Sequence, residues 1–210
     1  MDQLKELVKS GKAPETEARV KELLEQGQPM EMILKEALIA AMDEVGELFQ
    51  KGEYFVPEML VAARAMQRGL NVIKPLMMEE GIEPLGKVVI GTAKGDLHDI
   101  GKNLVSMSLE GAGFEVVDLG IDVSPEKFVE AVKEHKPQVM GMSALLTTTM
   151  LSMKDVVLAI KAAGLRDQVK IMIGGAPIRQ EYADEIGADF YGKDSTEAKN
   201  IARQIVTGEA

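Results

Sequence analysis

Val88-Val89-Ile90-Gly91-Thr92-Ala93-Lys94-Gly95-Asp96-Leu97-His98-Asp99-Ile100-Gly101-Lys102-Asn103-Leu104-Val105 reads as a β-rich run, a glycine-rich loop and an apolar pattern of helical period. Strand, loop, helix in that order puts the loop at the carboxyl end of a strand. In an open α/β sheet, ligands bind there. The loop lacks the Gly-x-Gly-x-x-Gly spacing of a dinucleotide fingerprint. It is not a phosphate-binding loop either, because five residues separate Gly95 from Gly101 and Asn103 follows the lysine.

The chemistry of the loop lies in Asp96-x-His98-x-x-Gly101. A loop histidine with a carboxylate two residues earlier can offer one ring nitrogen to a metal while the carboxylate holds the other N–H, which fixes the tautomer and strengthens the donor. The chain has no cysteine and two histidines in all, too few ligands for a protein-built zinc site. A metal that arrives inside a macrocycle and needs one axial ligand fits that inventory. A capping or otherwise satisfied histidine is the bland reading of an isolated His98, and it predicts nothing about the rest of the chain.

The pattern that follows the loop is five βα units. Strands are expected at 87–92, 114–118, 138–143, 170–174 and 188–191. Helices are expected at about 101–111, 125–134, 151–163, 178–186 and 195–207, with Ser124 and Pro125 as cap and first turn. Such alternation builds a parallel sheet covered on both faces by right-handed crossovers. Residues 1–80 instead read as helices. A short one spans Gln3 to Lys9, a second runs through Val20 and Leu23 to Gly27, and a long third carries Ile33, Leu34, Ala37, Leu38, Ala41, Met42, Val45 and Phe49 on one stripe. A fourth opens at Pro57. Short connections make these a small bundle. The Gly, Pro and charge content of residues 79–86 is that of a linker. The expected division is a helical bundle over 1–80, a linker over 79–86 and an α/β domain over 87–210.

The chain has 210 residues and a net charge of −10, which argues against binding nucleic acid by phosphate neutralisation. No apolar run approaches the roughly 20 residues that span a bilayer, and the N-terminus lacks a signal peptide's apolar region. Together with the missing cysteines, these features lead to the expectation of a cytoplasmic protein that binds neither nucleic acid nor membrane.

Asp96-Leu97-His98-Asp99-Ile100-Gly101 resembles the Asp-x-His-x-x-Gly signature of cobalamin-binding domains. Ser143-Ala144-Leu145, followed by Thr147-Thr148-Thr149, and Gly174-Gly175-Ala176-Pro177 resemble two further motifs of that family, in the family's order and each at a strand end. The resemblance implies a flavodoxin-like, Rossmann-like five-stranded sheet of order 2-1-3-4-5, with the motifs lining the crevice where the order reverses. It implies cobalamin or a related corrinoid as cofactor, with methylcobalamin as the loaded state and His98 as the lower axial ligand of cobalt. Gly95, Asp96, Leu97, Asp99, Ile100 and Gly101 would then form the ligand loop, and Ser143, Leu145 and Thr147 would line the slot for the nucleotide tail. Thr149 stands where cobalamin-dependent methionine synthase has a serine, and would continue the hydrogen-bond chain from Asp96. Gly174, Gly175 and Ala176 would let the tail pass close to the backbone, although a tight strand-to-loop turn explains the glycines equally. Asp189, Tyr191 and Asp194 either border the tail or form a plain loop.

The helical segment bears on the kind of cobalamin protein. Gly52 to Met66 resembles the cap that covers the methyl-bearing face of the corrin in methyl-carrying proteins. That implies Phe55 and Met59 as shielding residues, which otherwise read as bundle core. The resemblance implies a methyl carrier with no complete active site of its own, serving a substrate-specific methyltransferase, a second methyltransferase and a reductive activase. The donor could be methanol, a methylamine, a methoxylated aromatic or a betaine, and the acceptor tetrahydrofolate or a thiol. Two alternatives differ in class. The cobalamin subunit of a carbon-skeleton isomerase would lack this helical segment. A non-enzymatic cobalamin sensor would combine a cap with this fold; light-sensing versions carry a cap tryptophan, and the chain has no tryptophan.

Overall fold

The computed structural model describes residues 1–80 and 83–208. Gly81 and Ile82, within the expected linker, lie outside the described residues. The chain divides into two compact units. The first is Met1–Pro84 with Glu110–Gly113, and the second is Leu85–Leu109 with Phe114–Ala210.

The first unit contains helices α1 (Asp2–Lys9), α2 (Ala13–Glu25), α3 (Met30–Met32), α4 (Ala40–Gln50) and α5 (Val56–Glu80). Leu4, Val8, Val20, Leu23, Met66, Leu70 and Ile73 are buried, together with the expected stripe from Ile33 to Val45. Between α3 and α4 the expected uninterrupted helix is a π-helical segment, Ile33–Ile39. Ile33, Leu34, Ala37 and Leu38 in it are all buried. On α5, Gly69 admits the tip of Leu38, since a Cβ there would come within 3.1 Å of it.

The second unit is a parallel sheet of order β2-β1-β3-β4-β5, built from β1 (Lys87–Thr92), β2 (Glu115–Asp118), β3 (Val139–Ser143), β4 (Lys170–Gly174) and β5 (Phe190–Tyr191). Helices α6 (Ile100–Gly111), α7 (Pro125–His135), α8 (Leu151–Ala162), α9 (Gln180–Ile186) and α10 (Ser195–Thr207) connect and follow the strands. The central strands read as near-continuous apolar runs because helices cover both faces, and β1 is buried from Val88 to Thr92. Val89, Met140, Ile171, Phe128, Met153 and Ile160 belong to the core cluster. Gly91 is required there, since a Cβ would meet the Phe128 ring at 2.9 Å. Strand β5 begins at Phe190, two residues later than expected, because the Asp189 side chain takes the Ile171 N–H at 2.7 Å.

Register carries this fold to the site. Thr92 pairs with Ser143 and Ser143 with Gly174, so three strands end at one level. Their following loops, far apart in sequence, emerge side by side where the order reverses.

Candidate functional site

Asp96 is the centre of the arrangement. Its carboxylate is fully buried, 0 % exposed, whereas the His98 side chain is 52 % exposed. Oδ1 accepts from the His98 backbone N–H at 3.0 Å and faces the ring Nδ1 at 2.7 Å. Oδ2 accepts from the Leu145 N–H at 2.7 Å and from the Thr149 hydroxyl at 2.6 Å. Burial pushes the Asp96 carboxyl up, but the Thr149 hydroxyl, the His98 and Leu145 amides and the His98 ring together hold it well below the usual carboxylate range. An ionised Asp96 can only accept, so the proton of the neutral ring sits on Nδ1 and the lone pair on Nε2. The ring is thereby set up as a metal donor.

The backbone of the loop is held as well. The buried Thr92 hydroxyl donates to the His98 carbonyl at 3.1 Å, and Asp96 N–H donates to the Ala93 carbonyl at 3.1 Å. Gly95 has φ +85°, a conformation that favours glycine. Gly101 differs in that a Cβ there would meet nothing within 4 Å. Open space at that point is what a bulky ligand above the loop needs.

Around His98 the surface is apolar. Leu97 and Ile100 are 67 % and 68 % exposed, and Leu145, Leu146, Leu151 and Ile121 are exposed too. Leu97, Ile121, Leu145 and Leu146 sit on the loops after β1, β2 and β3, and Ile100 and Leu151 open α6 and α8. Exposed leucines and isoleucines gathered on such loops mark a binding surface. Among the described residues no group of three or more His, Cys, Asp or Glu side chains could hold a metal ion. One prepared imidazole, an apolar surround and open space at Gly101 fit a macrocycle that brings its own metal.

The other expected residues divide. Ser143 closes β3 and is half-buried, Asp99 and Thr147 are exposed, and Thr149 is buried against Asp96. Asp99 accepts from the Asn103 side chain at 3.1 Å. At Gly174 and Gly175 backbone packing explains the glycines. A Cβ on Gly174 would come 2.8 Å from the Gly192 carbonyl oxygen, and one on Gly175 only 1.8 Å from that of Ala144, at φ +133°. Ala176 next to them is exposed. In the first unit Phe55 is 64 % exposed at the start of α5 and Met59 is buried at 2 %. Asp189 has structural partners, Ile171 N–H and Arg166 at 3.0 Å. Asp194 caps α10 by accepting from Glu197 N–H at 2.8 Å. Thr92, Leu146, Leu151 and Ile121 were not singled out from sequence. A buried hydroxyl at a strand end and unpatterned apolar residues in loops were the available signals.

Comparison with known proteins gives the family. A family described as "B12 binding domain" matches residues 86–200, and a second of the same description matches residues 1–74. A trimethylamine corrinoid protein of Methanosarcina acetivorans is 50 % identical over 180 residues, covering 85 % of this chain and 83 % of that one. A dimethylamine corrinoid protein of the same organism is 42 % identical over 211 residues, 100 % of this chain and 97 % of the other. Among solved structures, the methanol:cobalamin methyltransferase complex MtaBC of Methanosarcina barkeri contains a chain similar over 98 % of this one and 78 % of its own length. That chain is 30 % identical, with a TM-score of 0.86.

Proposed function

The chain belongs to the B12 binding domain family, and from that premise we propose that it is a corrinoid protein carrying a methyl group from a methylamine-specific methyltransferase to a second methyltransferase. The bound corrinoid supplies a cobalt ion that can accept a methyl group and give it up again. The protein supplies the ligand, its orientation and its protonation. His98 presents Nε2 to the metal, and Asp96 holds Nδ1–H so that the ring keeps one tautomer and one direction. Asp96 is itself fixed by the Thr149 hydroxyl and the Leu145 N–H, so the imidazole would be held in place for the metal without further ordering.

The observation that carries the proposal is the 2.7 Å pair between Asp96 and His98 Nδ1, with Asp96 fixed from behind by Leu145 and Thr149. Leu97, Ile100 and Leu145 supply apolar contact for the macrocycle, and Ser143, Thr147, Gly174, Gly175 and Ala176 border its nucleotide tail. By resemblance to the caps of methyl-carrying proteins, Phe55 and Met59 would shield the loaded methyl group. The methylamine assignment follows the names of the relatives. A second methyltransferase, a reductive activase and a cytoplasmic location belong to the same reading. Among the described residues, no helix is long and apolar enough to cross a membrane.

Methyl loading tests the proposal. The protein is reconstituted with hydroxocobalamin, reduced, and offered methyltransferases for trimethylamine, dimethylamine and methanol with their substrates. One methylamine enzyme is expected to load it at least about tenfold faster than the methanol enzyme, a specificity of roughly 1.4 kcal/mol. Fastest loading by the methanol enzyme would contradict the methylamine assignment.

A further inference from the structure

The turn between β2 and α7 touches the histidine loop on both sides of His98. Asp122, exposed in that turn, accepts the Gly95 N–H on Oδ1 at 2.7 Å, and its own N–H donates to the Asp96 carbonyl at 3.0 Å. Asp122 has φ +52°, a left-handed conformation that aspartate tolerates better than most residues but glycine adopts freely. At the other end of the turn Asp118 accepts from the Nζ of Lys102, in the first turn of α6, and its second oxygen accepts the Gly120 N–H at 2.9 Å. Lys102 is buried, and its Nζ also donates to the Asn103 side chain at 2.7 Å.

Gly95 and Gly101 flank the segment that carries His98, and glycines leave a loop much conformational freedom. One hold acts on the Gly95 N–H and the Asp96 carbonyl and the other on Lys102, next to Gly101, and both are present before any corrinoid arrives. We infer that the turn Asp118–Asp122 is a brace for the axial-ligand loop, with Asp122 and Lys102 as positioning residues that set how completely His98 engages cobalt. The hydrogen bonds at Gly95 and Lys102 preorganise the loop, so binding does not have to order it. This inference rests on the reading of His98 as the axial ligand.

The test compares wild type with Asp122→Gly, which keeps the left-handed backbone and loses the acceptor, and Asp122→Asn, which keeps both. With each protein loaded with hydroxocobalamin and reduced to the Co(II) state, electron paramagnetic resonance reads the ratio of histidine-ligated to histidine-free cobalt. Loss of one charge-assisted bond should shift that ratio toward the free form by roughly five- to tenfold in Asp122→Gly. Asp122→Asn should stay within about twofold of wild type. In the wild-type protein without corrinoid, the Gly95 amide should exchange its hydrogen at least about tenfold more slowly than an open loop amide. An unprotected Gly95 amide, or a wild-type ratio in folded Asp122→Gly, would overturn the brace. Should Asp122→Gly not fold, the wild-type exchange rate decides. A His98→Ala protein with a wild-type spectrum would instead refute axial ligation and leave the exchange result standing.

Discussion

Replacing Thr149 with valine removes one oxygen from the site and leaves its shape. The hydroxyl lies 2.6 Å from Asp96 Oδ2, shorter than a typical neutral bond, as expected when the acceptor is ionised. Such a bond contributes about 1.5–3 kcal/mol. The Leu146 N–H loses a weaker acceptor at 3.3 Å, so the expected loss in Thr149→Val is about 2–3 kcal/mol. Asp96 keeps three donors, and its pKa rises while remaining depressed. A depressed carboxylate contributes stability that is present above its unfolded pKa and lost as pH falls through its folded pKa. The valine protein protonates Asp96 at the higher pH of the two. Because both proteins share the same unfolded state, the difference should be full at about pH 7 and shrink only as pH falls through the folded pKa of the valine protein, which still lies below the ordinary carboxylate value of about 4. Urea unfolding of the apoprotein across that range measures it. Thr149→Ser keeps the hydroxyl and should lose about 0.8 kcal/mol for the buried methyl. A valine protein within about 0.5 kcal/mol of wild type, or a difference that does not change with pH, would refute the assigned coupling.

Other outcomes follow from the same geometry. Gly175→Ala should cost several kcal/mol, about 3 or more, because its Cβ would sit 1.8 Å from the Ala144 carbonyl; an unchanged melting temperature would contradict this. Gly101→Ala meets no atom within 4 Å, so the apoprotein should be as stable as wild type or up to about 1 kcal/mol more stable. Its affinity for hydroxocobalamin should fall by about tenfold, roughly 1.4 kcal/mol, and unchanged binding would show that the open space is not used. Phe55→Ala should leave stability within about 0.5 kcal/mol, since the ring is exposed and the Phe55 N–H bond to Glu58 involves the backbone. If Phe55 shields the loaded methyl group, that group should be lost in water severalfold faster; an equal lifetime would remove Phe55 from the cap.

The βα alternation was legible because each strand is a short apolar run bounded by turn residues, and β1 and β4 fall on the expected residues. The Asp96–His98 pair was legible because a two-residue spacing on a tight loop leaves the side chains little choice. The Leu145 contribution to Asp96 is a backbone N–H, which side-chain chemistry does not reveal. Asp122 lies 27 residues from its partner Gly95, and an exposed aspartate in a Gly-containing turn reads as solvated. Lys102 reads as surface for the same reason, although it is buried against Asp118. The π segment Ile33–Ile39 was hidden because a single widened turn does not alter apolar periodicity enough to separate it from an α-helix.

The most direct test of axial ligation is the visible spectrum of the protein titrated with hydroxocobalamin, for wild type and His98→Ala. Wild type is predicted to bind the cofactor and give a histidine-ligated spectrum, and His98→Ala to give a different spectrum with water or no ligand on the lower face. Failure of wild type to bind, or identical spectra from the two proteins, would contradict the assignment of His98 as the ligand of cobalt.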